Sequence, residues 1–115
     1  MRKPAKWIHD SIKSDVRSWP QIARRKIGRE LGKVQRGEQP SHYREMPSIG
    51  LGVREIKVID ERNQYRLIYV AKFVEAVYVL HAITRKKTQK TNKNDIELAR
   101  VRYQALIEQR KGLLR

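Results

Sequence analysis

The run Val53-Arg54-Glu55-Ile56-Lys57-Val58-Ile59, followed by Asp60-Glu61-Arg62-Asn63 and then by Tyr65-Arg66-Leu67-Ile68-Tyr69-Val70-Ala71, decides the fold. β-Branched and aromatic residues dominate both apolar runs, and the polar tetrapeptide between them is short enough for a hairpin. Residues 76–83 form a third such run after Lys72-Phe73-Val74-Glu75, so the three stretches predict an antiparallel meander. Within the second run Tyr65, Leu67 and Tyr69 point to one face, and Arg66, Ile68 and Val70 to the other. Neither face is purely polar, so both require at least partial cover, and one is expected to take the helices.

Toward the N-terminus, Trp7-Ile8-His9 reads as a short strand and residues 11–19 as a short helix, with Ile12 and Val16 one turn apart. Ser18 with Gln21 reads as a capping box around Pro20, which a first helical turn tolerates, and opens a second helix. Its apolar stripe is Ile22, Ile27, Leu31 and Val34, while Arg24, Arg25, Lys26, Arg29 and Lys33 crowd the remaining surface and Gly37 stops it. Residues 37–52, punctuated by Pro40, Pro47 and Gly50, read as an ordered loop. Beyond the meander, residues 84–93 contain no apolar side chain and read as a basic loop. Asn94 with Glu97 suggests the cap of a closing helix, along which Ile96, Ala99, Tyr103 and Leu106 share a stripe. The expected fold class is α+β: a single domain over residues 1–115, with a small antiparallel sheet, an N-terminal helical hairpin and a C-terminal helix.

The chain has 115 residues, 27 Lys plus Arg against 12 Asp plus Glu, a formal charge of +15 and no cysteine. Disulfides, thiolate metal sites and a cysteine nucleophile are therefore excluded, and a reducing cytoplasm is the expected location. No apolar run reaches the roughly 18 residues of a membrane span. Met1-Arg2-Lys3-Pro4 leads into mixed polar residues and not into the apolar stretch of a signal peptide, so a soluble, unexported protein with no membrane partner is expected. Charge of this density costs self-repulsion, and its usual compensation is a polyanionic partner: RNA, DNA or an acidic protein.

Positive charge peaks between Glu75 and Asp95, an interval that holds Arg85, Lys86, Lys87, Lys90 and Lys93 and no acid. Thr84, Thr88, Gln89, Thr91 and Asn92 interleave hydroxyls and amides with those cations, which suits hydrogen bonding to phosphate oxygens; a solvated loop is the plain alternative. The basic side of the second helix is either a solvated face or a surface for a large RNA or an acidic partner. Tyr43, in the loop, is the candidate for base stacking, because most other aromatics sit at core periodicity. The sequence lacks a nucleotide-binding Gly-rich loop, a nucleophile elbow and a metalloprotease His pair. His9 and His42 read as surface residues. His81 shares strand parity with Val77, Val79 and Ile83 and reads as a core histidine or a proton-transfer group. Cleavage of RNA by its own 2′-hydroxyl needs no metal or cofactor. It needs a group to remove that proton, cations to steady the charge on phosphorus, and an acid for the leaving 5′-oxygen. Lysine and arginine supply most of this, since crowding by other cations disfavours the ammonium form of a lysine.

Four stretches then carry a family likeness: residues 46–57, from Met46-Pro47-Ser48-Ile49-Gly50; Tyr65-Arg66 with the rest of its strand; Val77-Tyr78-Val79-Leu80-His81-Ala82-Ile83; and Lys86-Lys87-Thr88-Gln89-Lys90-Thr91. Over about residues 18–110 the chain resembles a HigB-type toxin, in the phage-associated branch of the RelE/ParE toxin superfamily. The resemblance implies the same order of strands and helices, and a toxin that cuts mRNA in the ribosomal decoding site. It implies two partners, the ribosome with its mRNA and a cognate antitoxin, often a small helix-turn-helix protein. It implies Lys57, Arg66 and one of Arg85 or Lys86 as basic site positions, and His81 lies near a histidine used by some relatives. Arg54 stands where many relatives carry an aromatic, and no tyrosine follows the basic stretch until Tyr103. The resulting expectation is a metal-independent endoribonuclease. Lys57 and His81 are the candidate proton-transfer groups, and Arg66 with Arg85 or Lys86 the phosphate clamps. Lys87, Gln89, Lys90, Lys93 and Tyr43 are the RNA contacts. The rival expectations are a non-enzymatic toxin that inhibits DNA gyrase and a phage nucleic-acid-binding protein; for Arg66 the rival role is a structural ion pair.

Overall fold

The computed structural model describes residues 2–86 and 90–113. Its elements run β1 (Ala5–Trp7), α1 (Asp10–Arg17), α2 (Gln21–Gln35), β2 (Tyr43–Glu45), β3 (Val53–Ile59), β4 (Asn63–Val70), β5 (Val77–Lys86) and α3 (Lys93–Leu113). β3, β4 and β5 make the expected meander, with Val53 opposite Val70, Ile59 opposite Gln64, and Asn63 opposite Lys86. Asp60 closes the first hairpin by accepting the N–H groups of Arg62 and Asn63 at 2.9 and 2.7 Å and the Tyr65 hydroxyl at 2.7 Å. An aspartate that satisfies its own turn in this way fixes the register of the strands it joins.

Two edge strands extend the meander to five strands in the order β1-β5-β4-β3-β2. β1 runs parallel to β5, so the sheet is mostly and not wholly antiparallel. The chain from β1 to the meander carries both N-terminal helices, which provides the long crossover a parallel pairing needs. β1 also lies two residues earlier than expected, because His9 caps α1 instead: its backbone is extended (φ −141°, ψ 139°) and Nδ1 accepts the Ser11 N–H at 3.2 Å. β2 forms within the stretch read as loop, which places Tyr43 on a strand opposite Ile56.

α1 and α2 cover one face of the sheet, where Ile12, Trp19, Ala23, Ile27, Leu31 and Val34 pack on Ile56, Leu67 and their neighbours. The buried stripe of α2 includes Ala23 and not Ile22, which is 57% exposed. α3 covers the opposite face with Ala99, Tyr103 and Leu106 over Ile68, Val70, Tyr78 and Leu80. The helices thus divide between the two faces, as a sheet without a polar side requires. A bulge lies between Ile68 and Tyr69: these residues oppose His81 and Val79, so Leu80 is the extra residue. One added residue reverses the alternation beyond it, and His81 therefore faces α3 with Ile83 and not α2 with Val77 and Val79.

The caps also differ from expectation. Only Ser18-Trp19-Pro20 joins the first two helices, so Ser18 ends α1, its hydroxyl donating to the Asp15 carbonyl at 2.6 Å, while Pro20 precedes α2 without a side-chain cap. α3 begins one residue before Asn94; its cap is Asn92, whose Oδ1 accepts the Asp95 N–H at 2.9 Å. Gly37 stops α2 as expected. Its φ of +81° lets its N–H reach the Val34 carbonyl at 3.0 Å and the Glu38 N–H reach Lys33 at 2.8 Å, the paired bonds of a left-handed helix stop. Thr84, Arg85 and Lys86, read as loop, continue β5 because β4 starts early enough to pair with them. Lys93 belongs to α3.

Candidate active site

Alternation along β3 and β4 places Val53, Glu55 and Lys57 on the α3 side of the sheet together with Arg66, Ile68 and Val70. The Val53–Val70 end lies under α3 and is apolar; the Lys57–Arg66 end is charged. Lys57 and Arg66 are direct cross-strand partners, an arrangement that repels unless an anion intervenes. Glu55 supplies it. Its side chain is 1% exposed, and Oε1 accepts from Arg66 Nη1 and, at 3.4 Å, from Arg44 Nη2. Oε2 accepts the Thr91 hydroxyl at 3.0 Å. Arg66 Nη2 donates to Gln64 Oε1 at 2.7 Å, and Gln64 Nε2 to the Lys86 carbonyl at 2.9 Å. Arg66 Nε is buried with no partner among the described residues. One carboxylate thus ties β2, β4 and the segment entering α3 to β3.

A second network surrounds His81, which is 9% exposed. Its Nε2 lies 2.8 Å from Asp95 Oδ1, and its Nδ1 lies 3.1 Å from Arg102 Nη1. Arginine has no acceptor, so Nδ1 accepts and the Nε2 proton goes to Asp95. Asp95 Oδ2 is also paired with Arg85 Nη2, and Arg102 Nη1 donates to the Leu80 carbonyl at 2.9 Å. Burial is the main force lowering the Arg102 pKa, with Asp15 opposing it. His81 and Arg85 are thereby joined at the N-terminal end of α3, where their contacts hold helix to sheet.

The charged end of the sheet opens into a groove of about 910 Å³ between the edge of β3 and α2. Tyr43, Arg44, Lys57 and Arg66 line it from the sheet, Lys26 and Arg29 from α2, and His42 from the connection between them. That connection is pinned where Glu30 Oε2 accepts the Ser41 N–H at 2.6 Å. Burial opposes ionisation of Glu30, but the Ser41 hydrogen bonds and Lys33 outweigh it and hold the carboxyl below its usual range. Lys26 Nζ caps the free Ile59 carbonyl at 2.9 Å. Lys57 has no side-chain hydrogen bond or ion pair among the described residues. Tyr43 carries the Arg54 guanidinium 4.7 Å above its ring, and Arg54 is fixed in turn by Glu45 at 2.8 Å.

Of the residues expected from sequence, Lys57, Arg66 and Tyr43 line this one groove, and His81 meets Arg85 through Asp95. Lys86 ends β5, Lys90 is exposed ahead of α3, and Lys93 is exposed as the first residue of α3; Lys87 and Gln89 lie outside the described residues. His42, read as a surface residue, is exposed at the groove. Sequence reasoning missed Arg44 and Glu55. Their common signal is the pairing of β2 with β3, and a strand as short and polar as Tyr43-Arg44-Glu45 does not announce itself. Among the described residues no cluster of three or more His, Asp or Glu side chains could hold a metal, and no helix is long and apolar enough to cross a membrane.

The family model described as phage derived protein Gp49-like (DUF891) covers residues 14–104, from within α1 to the middle of α3. No curated protein and no solved structure matches the chain.

Proposed function

From the premise that the chain belongs to the Gp49-like family of phage-derived proteins, a family related to toxins of toxin–antitoxin pairs, we propose that it is such a toxin and cleaves translated mRNA on the ribosome. The observation that carries this reading is Lys57, an amine without a side-chain partner among the described residues, beside a fixed guanidinium in a groove walled by cations. In the reaction the 2′-oxygen attacks the adjacent phosphorus, its proton passes to a base, and the 5′-oxygen leaves with a proton from an acid. A cyclic phosphate remains on the upstream fragment. Lys57 is the first proton-transfer group of this reading. His81 would have to give up Asp95 or Arg102 to serve as the second, and Arg85 would have to leave Asp95 to act as a clamp. Arg66 is already oriented, so its field at a bound phosphate costs no rearrangement. Exposed Lys90 and Lys93, with Lys86, supply counter-charge for ribosomal RNA.

The partners under this proposal are the ribosome with its message, and an antitoxin expected to be a small helix-turn-helix protein. Mapping the 5′ ends of a reporter transcript after induction in bacteria tests it. Cuts confined to the translated frame are expected. Lys57→Met should reduce them at least a hundredfold, on the order of a lost general base, with the melting temperature unchanged. Intact transcripts with arrested replication would instead indicate a gyrase inhibitor.

A further inference from the structure

Glu55 holds its two arginines unequally. Arg66 is buried against it, with a side chain 9% exposed, and is held on its other side by Gln64. Arg44 reaches the same oxygen only at 3.4 Å, from a side chain that is 59% exposed. It projects from the edge strand at the groove wall, directly opposite Glu55 in the strand register. A solvated pair of that length is weak, and a guanidinium gains far more from two parallel hydrogen bonds to a phosphate. Releasing Arg44 also leaves no buried charge bare, because Arg66 and Thr91 still satisfy the carboxylate.

We propose that Arg44 is a contact for the phosphodiester backbone of single-stranded RNA in the groove, and that Glu55 is the counter-ion that holds it there until RNA arrives. The assignment rests on the reading of the groove as an RNA site. Arg66 stays on Glu55 throughout and serves as the positioning residue: it keeps the carboxylate paired so that Arg44 is free to move. The cationic wall formed by Lys26, Arg29 and Lys57 gives the strand a continuous path beside Arg44.

The test is binding of a short, labelled single-stranded RNA to the full chain across a salt series. Arg44→Gln should weaken binding several-fold at low salt. It should reduce the slope of log affinity against log salt by about 0.7, the value of one lost contact on a single strand. Arg44→Lys should keep the slope, since the charge remains, and both variants should melt with the wild type. An unchanged slope in Arg44→Gln overturns the proposal, as does an affinity loss that tracks a fall in melting temperature. A wild-type chain that ignores RNA but binds polyglutamate also overturns it and assigns the groove to an acidic protein. Binding needs no cleavage, so a chain that shows the expected slopes yet cuts no message would sink the nuclease reading and leave the Arg44 contact standing.

Discussion

Replacing Arg66 by methionine removes one half of a buried ion pair and leaves Glu55, at 1% side-chain exposure, with Arg44 at 3.4 Å and the Thr91 hydroxyl. Breaking a buried pair by deleting one partner costs about 3–5 kcal/mol. The two remaining partners favour the lower end. Relief of repulsion with Lys57, its cross-strand neighbour, returns less than about 1 kcal/mol. A net loss near 3 kcal/mol corresponds to a fall of about 12 °C in melting temperature for a domain of this size. The double variant Glu55→Leu/Arg66→Met removes both charges and should recover most of that loss, because an apolar pair of similar volume carries no desolvation penalty. Thermal and urea denaturation of the two single variants and the double variant complete a cycle whose coupling energy should reach about 2 kcal/mol. A single-variant loss under about 1 kcal/mol, or additive effects, would refute the reasoning and make this an ordinary solvated pair.

Two further outcomes follow from other contacts. Hydrogen bonding from Arg110 is the main cause that holds the Glu75 carboxyl down at about 2, against burial, with the Tyr78 hydroxyl assisting. A depressed carboxyl contributes stability above its unfolded value and loses it as pH falls toward the folded one. Stability should therefore drop between about pH 4.5 and pH 2, and melts of Arg110→Gln should show a smaller drop over that window. At Gly50 an added β-carbon would overlap the Tyr103 ring, so Gly50→Ala should lose about 1–3 kcal/mol through overpacking. A wild-type melting temperature in that variant would mean that α3 shifts without penalty.

Most of the meander was legible because Val, Ile and Tyr alternate over long pairings, and β3 has the bounds that the sequence predicts. Gly37 was legible because a helix stop requires one residue with positive φ. The face of His81 was not, since strand parity assumes that no residue is inserted, and the bulge at Leu80 leaves no mark on composition. Lys57 and Arg66 were singled out by the family resemblance, as basic side chains on adjacent strands. Glu55 was not, because its partners lie 11 residues before it, 11 after and 36 after, and only folding brings them together. The cap of α3 was missed because Asn92 and Asn94 both suit the position, and the ion pairs of Asp95 select between them.

The parallel pairing of β1 with β5 has a consequence for the order in which the chain is made. Ala5 is made well before its partner Val77, which is synthesised only after the whole helical hairpin and three strands. Until then β1 has no neighbour, and the first helices can only gather provisionally over a growing sheet. The opposite face waits longer still: Ile68, Val70, Tyr78 and Leu80 stay uncovered until α3, which follows all five strands in the chain, is released. Nascent chains halted within α3 would thus present an apolar sheet face to whatever is nearby, and chaperones or aggregation would meet that face before the finished fold does.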